Sequence, residues 1–157
     1  MLGRRRDDSW DGSDRRAPAI ILIVKDNPDA CEMLVRMLMN RGFRTIGATS
    51  TAEAGTRFAS YLPRCVVLDL DEGGIGTSLQ LLDHIRGHED TRVSTARVVF
   101  CASSAKNRSF SFQSGADSFV VRPYHLDELA VQIEDVLGRA HEERARHRRD
   151  ELARHGD

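Results

Sequence analysis

The feature that most constrains this chain is the repeated alternation of short apolar runs with segments of helical periodicity. Ile20–Val24 (IILIV) is apolar at every position, the pattern of a strand covered on both faces. Asn27 and Pro28 then offer an N-cap and a first helical position. Cys31, Leu34, Val35 and Leu38 follow at helical spacing, and Gly42 is placed to end that helix. Phe43–Ala48 is a weaker strand, after which Ser50-Thr51-Ala52-Glu53 fits a capping box and opens a helix to about Tyr61. Cys65–Leu70 (CVVLDL) is the next buried strand, and a glycine-rich loop leads from it to a helix carrying Leu79, Leu82 and Ile85. Val98–Cys101 is a fourth strand, followed by a short polar helical segment over Lys106–Gln113. Ser118–Val121 is a fifth, and Leu126–Leu137 is an amphipathic helix. Five strands alternating with helices predict a doubly wound parallel sheet with helices on both faces. In such a sheet ligands bind outside the carboxyl ends of the strands, where the strand order reverses.

Composition narrows the function classes. With 40% hydrophobic and 30% charged residues and a formal net charge of −1, nothing global points to nucleic acid or a membrane surface. No apolar stretch approaches the length of a membrane span, and the Arg-rich start lacks the hydrophobic segment of a secretory signal. Cys31, Cys65 and Cys101 have no paired or metal-like spacing and read as reduced core residues of a cytoplasmic protein. Residues 1–18 are polar and mixed in charge, so a disordered lead-in is expected there. Residues 19–138 form the expected globular unit, and residues 139–157 a charged tail, helical or disordered. Acids nearly balance arginines in that tail, which predicts a solvated helix rather than a nucleic-acid surface. His84 and His88 lie four apart on a predicted helix, but Gly87 between them and the lack of a third ligand argue against a metal face.

The carboxyl ends of the strands offer Lys25 and Asp26, then Asp69 and Asp71, then Ala102, Ser103 and Ser104, then Arg122 and Pro123. These residues stand within ILIVKDNPDACEMLVRML, PRCVVLDL, LQLLDHIR and SGADSFVVRPYHLDEL. In this order and spacing the stretches resemble the receiver domain of two-component response regulators over nearly all of residues 19–138. The last stretch is the most specific. It carries Gly-Ala-Asp before a strand, a basic–Pro pair after it, and the Leu-Asp-Glu-Leu start of the final helix.

The resemblance implies a flavodoxin-like sheet of strand order 2-1-3-4-5. It implies that Asp69 is the phosphoacceptor, served by a histidine kinase or phosphotransfer protein with Mg²⁺ bound alongside. Asp26 and Asp69 are then carboxylate ligands of the metal, and Asp71 contributes its backbone carbonyl. A hydroxyl after the fourth strand and Arg122 after the fifth would hold the phosphoryl oxygens, and the Arg122-Pro123 bond is implied to be cis. The chemistry is coherent, because a carboxylate can act as nucleophile when a cation offsets the charge that builds at phosphorus. Mg²⁺ keeps several waters, so two carboxylates and a carbonyl suffice to hold it.

Several positions depart from the family pattern. Lys25 stands where an acid is usual, and Arg122 replaces a lysine, exchanging a compact ammonium for a planar fork. The hydroxyl position falls on Ala102 by strand register and on Ser103 if the register slips by one. The loop after Asp69 (DEGGIGTS) lacks the customary proline and is one residue longer, and the segment up to Gly115 is short enough to stunt its helix. A lysine packed against Asp26 and Asp69 is attracted by about 4 kcal/mol per pair at about 4 Å and an effective dielectric near 20, less desolvation. Such an ammonium is expected to stand in part for the divalent cation and to weaken Mg²⁺ binding.

The sequence therefore reads as a stand-alone receiver domain in phosphorelay signalling, not an enzyme. It is expected to pass its signal to an unknown downstream protein through the last strand and helix, and a homodimer is compatible with it. The alternative is a phosphorylation-independent pseudo-receiver interaction module. A remote third reading, a haloacid-dehalogenase-like phosphatase using Asp69 and Asp71, follows from VVLDLDEGG. It is opposed by the complete strand-helix-strand-helix block that precedes Asp69.

Overall fold

The computed structural model describes residues 19–71 and 74–155. Its strands are β1 (Ile20–Lys25), β2 (Arg44–Ala48), β3 (Cys65–Asp69), β4 (Arg97–Ala102) and β5 (Ser118–Val121). They form one parallel sheet in the order β2-β1-β3-β4-β5, the flavodoxin-like order expected. The helices are α1 (Pro28–Asn40), α2 (Thr51–Tyr61), α3 (Gly74–Arg86), α4 (Thr91–Ser94), α5 (Arg108–Gln113), α6 (Leu126–Leu137) and α7 (His141–His155).

Local signals set most of these boundaries. Asn27 caps α1 by accepting from the Ala30 N–H at 2.9 Å, with Pro28 in the first turn, and Gly42 follows the helix at φ 98°. Ser50 caps α2 by accepting from the Glu53 N–H at 3.1 Å. Glu53 reaches back to the Thr49 N–H at 2.8 Å, one residue further than the capping box requires.

Strand parity then divides the core in two. Leu22, Val24, Val66, Leu68, Val98 and Phe100 face α2, α3 and α5. Ile21, Ile23, Cys65, Val67, Val99 and Cys101 face α1 and α6. All three cysteines are buried and free, and burial pushes their thiols up. Among the described residues no helix is long and apolar enough to cross a membrane.

Three features differ from the sequence reading. A short helix, α4, precedes β4, capped by the Asp90 carboxylate accepting from the Arg92 N–H at 2.9 Å. β4 opens one residue early on Arg97, whose buried guanidinium donates to the Val136 carbonyl at 3.3 Å and to that of Arg139. A charged residue at the edge of an apolar run reads locally as loop; here the Arg97 backbone pairs with Cys65 of β3, and carbonyls at and just beyond the end of α6 receive its buried guanidinium. The tail forms α7 and packs on the body instead of lying in solvent. Its Arg144 and Glu151 are buried, Leu152 packs against the α2–α3–α5 core, and the His147 ring meets Phe112 edge-on at 6.0 Å. The lead-in expected over residues 1–18 lies outside the described residues.

Candidate functional site

β1 and β3 are neighbours, and their register sets Lys25 directly opposite Asp69. Both side chains have the parity of the α1–α6 face, so they meet at the carboxyl edge, where the Lys25 ammonium lies 2.9 Å from Asp69 Oδ2. The loop after β5 brings two more donors to the same group. The Arg122 guanidinium donates to Asp69 Oδ1 at 2.5 Å, and the Tyr124 hydroxyl donates to Oδ2 at 2.6 Å. Arg122 also pairs with the Asp71 carboxylate at 2.8 Å and donates to the Cys101 carbonyl at 3.3 Å. Asp26 Oδ2 accepts the Asp71 backbone N–H at 3.0 Å, which ties the β1 and β3 loops together. The Arg122-Pro123 bond is cis, as the resemblance implied.

Asp69 is fully buried, and burial alone would raise its pKa. The Tyr124 hydroxyl, Lys25 and Arg122 outweigh that and hold the carboxyl below its ordinary range. The same contact, with burial as the larger cause, pushes the Tyr124 hydroxyl up, so it remains a donor. Tyr124 was not among the expected site residues. An aromatic after the proline and before an amphipathic helix reads as a core residue, and nothing local shows where its hydroxyl points.

Beside Asp69 lies a cavity of about 160 Å³ whose wall includes Asp71, Ser78, Ser103, Ser104, Asn107 and Arg122. Ala102 has the parity of Val98 and Phe100 and also lines this cavity, and the hydroxyls its wall receives after β4 are those of Ser103 and Ser104. Among the described residues the buried Ser78 hydroxyl has no hydrogen-bond partner, which marks this wall as able to satisfy a small polar guest.

The donor set as it stands does not fit a divalent cation. Lys25, Tyr124 and Arg122 engage both Asp69 oxygens, and a hard cation that takes oxygen ligands would meet an ammonium beside that carboxylate. Among the described residues no three His, Cys, Asp or Glu side chains gather as metal ligands. Lys25 and Arg122 are the cations that offset Asp69 and Asp71 here.

Residues 21–134 match the family model described as response regulator receiver domain. The chain belongs to that family. The receiver domain is 31% identical over 124 residues to the transcriptional regulatory protein PrrA of Mycobacterium tuberculosis, covering 76% of this chain and 50% of that protein. It is 25% identical over 119 residues to the phosphate regulon transcriptional regulatory protein PhoB of Escherichia coli, covering 76% of this chain and 52% of that protein. The chain thus spans about half the length of these curated relatives. Among solved structures it resembles the chemotaxis response regulator CheY4 of Vibrio cholerae, at a TM-score of 0.66 and 16% identity over 76% of this chain and 99% of that one. The non-phosphorylated HemR receiver domain of Leptospira biflexa matches at a TM-score of 0.64 and 25% identity, over 78% and 96% of the two chains.

Receiver domains typically bind Mg²⁺ at the acidic pocket and interact with histidine kinases or phosphotransfer proteins. The phosphatase reading falls with this assignment. Asp69 ends the third strand of a receiver sheet, and the Asp71 carboxylate is held by Arg122.

Proposed function

We propose that this receiver domain serves two-component signalling as a docking module whose Asp69 pocket is held in one state by its own cations. Partner recognition then does not wait on Mg²⁺-dependent phosphoryl transfer. One observation carries this reading: both oxygens of the Asp69 carboxylate already accept from Lys25, Tyr124 and Arg122. A carboxylate offers about four lone-pair sites; three are engaged here, and the Lys25 ammonium stands on the carboxylate itself, where a metal shared with the phosphoryl oxygens would have to sit. On this reading the domain is a non-enzymatic cytoplasmic module, in keeping with its three buried free thiols.

A second reading, phosphoacceptance at Asp69 from a histidine kinase or phosphotransfer protein, is favoured by Ser103 and Arg122 in the wall of the adjoining cavity. There they would hold phosphoryl oxygens, with Asp26 and the Asp71 carbonyl as the remaining candidates for a metal.

Incubation with a small-molecule acyl phosphate, with and without Mg²⁺, separates the two when intact mass is read. The docking reading expects no phosphoryl adduct on wild type or Asp69→Ala, and an Mg²⁺-dependent adduct on Lys25→Asp, which restores an acidic pair with Asp26. A labile adduct on wild type that disappears in Asp69→Ala would overturn it in favour of the second reading.

A further inference from the structure

A second fully buried aspartate, Asp117, lies at the opposite end of the sheet, immediately before β5. Its Oδ1 accepts from Arg144 at 2.8 Å and Arg148 at 3.1 Å, both on α7. Its Oδ2 accepts from Arg86 at 2.9 Å, the Val98 N–H at 2.9 Å and Arg144 again at 3.1 Å. Arg144 also donates to the carbonyls of Thr95 at 2.8 Å and Ala96 at 3.3 Å. This anchor determines where α7 sits.

Removing one partner of a buried ion pair is usually costly because it strands the other charge. Here the departure of α7 strands nothing. Asp117 keeps Arg86 and the Val98 N–H, and Arg86 is independently held by the carbonyls of Gly115, Ser94 and Ala96. Arg144 and Arg148 would pass into water. The apolar part of the joint is small, consisting of Leu152 and the contact of His147 with Phe112. What α7 covers is a region the fold leaves thin, because β5 is an edge strand and α5 is only six residues long.

We propose that α7 is a releasable strap masking a docking face made by α5 and the turns that precede β4 and β5. The face takes a partner helix of α7's own chemistry, with two arginines four residues apart and a leucine four residues further on, as in Arg144, Arg148 and Leu152. The Asp117 carboxylate and the Thr95 and Ala96 carbonyls select the arginines, and the edge of the α2–α3–α5 core on which Leu152 packs takes the aliphatic residue. The inference rests on the docking reading above, and its test leaves Asp69 untouched.

Hydrogen exchange on the full chain comes first. The α7 amides are expected to exchange by local opening, faster than those of β3 and β4, and faster still at high salt. Protection of α7 equal to that of β3 and β4 would overturn the proposal. Second, a fluorescent peptide of residues 139–155 is titrated into wild type and into the full-length Arg144→Ala/Arg148→Ala variant, whose cooperative melting shows that it folds. The variant should bind at least about tenfold more tightly, because the wild-type strap competes for the face. A peptide carrying the same two substitutions should bind neither protein. A folded variant that binds the peptide no better than wild type would sink the idea; an unfolded variant leaves the decision to exchange.

Discussion

Among the described residues two aspartates are fully buried, one at each end of the sheet, and each is met by more than one cation. The cations differ in where they come from. Lys25 reaches Asp69 from the end of β1 and Arg122 from the loop after β5; their side chains are 16% and 19% exposed, and Arg122 lines a cavity. Arg86, Arg144 and Arg148 reach Asp117 from two helices that bracket it, and the side chain of Arg144 is only 4% exposed. Burial is the largest influence on Arg86 and pulls its pKa down to about 10. The same ion-pair chemistry thus makes a pocket at one end, where Arg122 lines a cavity, and a joint at the other, where the arginines tie α3 and α7 to the start of β5.

Substitution at the joint should show the largest effect. Asp117→Ala leaves the Arg86 guanidinium without its anion and the buried Val98 N–H without its acceptor, and should cost about 3–5 kcal/mol, read by urea denaturation. Asp69→Ala leaves Lys25 and Arg122 facing each other with access to water, and a smaller loss of about 1–3 kcal/mol is expected. Equal losses at the two sites would break the comparison.

Acid should sharpen it further. At Asp69 and Asp117 alike, burial raises the carboxyl's pKa but is outweighed by cations and hydrogen bonds, so the folded value lies below the unfolded one. Each therefore contributes stability that is complete above the ordinary carboxylate pKa, about 4, and lost as pH falls through the depressed folded value. Stability measured against pH should decline below about pH 5, and less steeply in Asp117→Asn than in wild type. Tyr124→Phe should be the mildest change. It removes one of three donors to Asp69, costs about 0.5–1.5 kcal/mol, and lets the Asp69 carboxyl titrate nearer its ordinary range.

Much of the fold was legible because its signals are local. Asn27-Pro28 and Ser50–Glu53 cap helices within four residues, and the apolar runs from Ile20, Cys65 and Val98 reveal buried strands without reference to anything distant. The pocket was half legible. Strand-end position brought Lys25, Asp26, Asp69, Asp71, Ser103 and Arg122 to one edge, and the pairing of Lys25 with Asp69 followed from their being ends of neighbouring strands. Tyr124 was missed because the direction of its hydroxyl depends on the turn after Pro123. The tail was misjudged because its charge pattern suits solvent equally well. Asp117, with the Thr95 and Ala96 carbonyls beside it, turns Arg144 and Arg148 inward from across the fold.

By itself the sequence determined the five strands, most of the helices between them, and the end of the sheet where a site belongs, since periodicity, caps and strand ends are read over a few neighbouring residues. Its motifs, in order, carried the resemblance to the family. Lys25 with Asp69 aside, which charges meet was decided by the tertiary structure. Tyr124 lies 55 positions from Asp69, and Arg144 lies 27 from Asp117. Ion pairs and hydrogen bonds at such separations exist only once the chain has folded, and the desolvation that makes them matter is a property of the closed core.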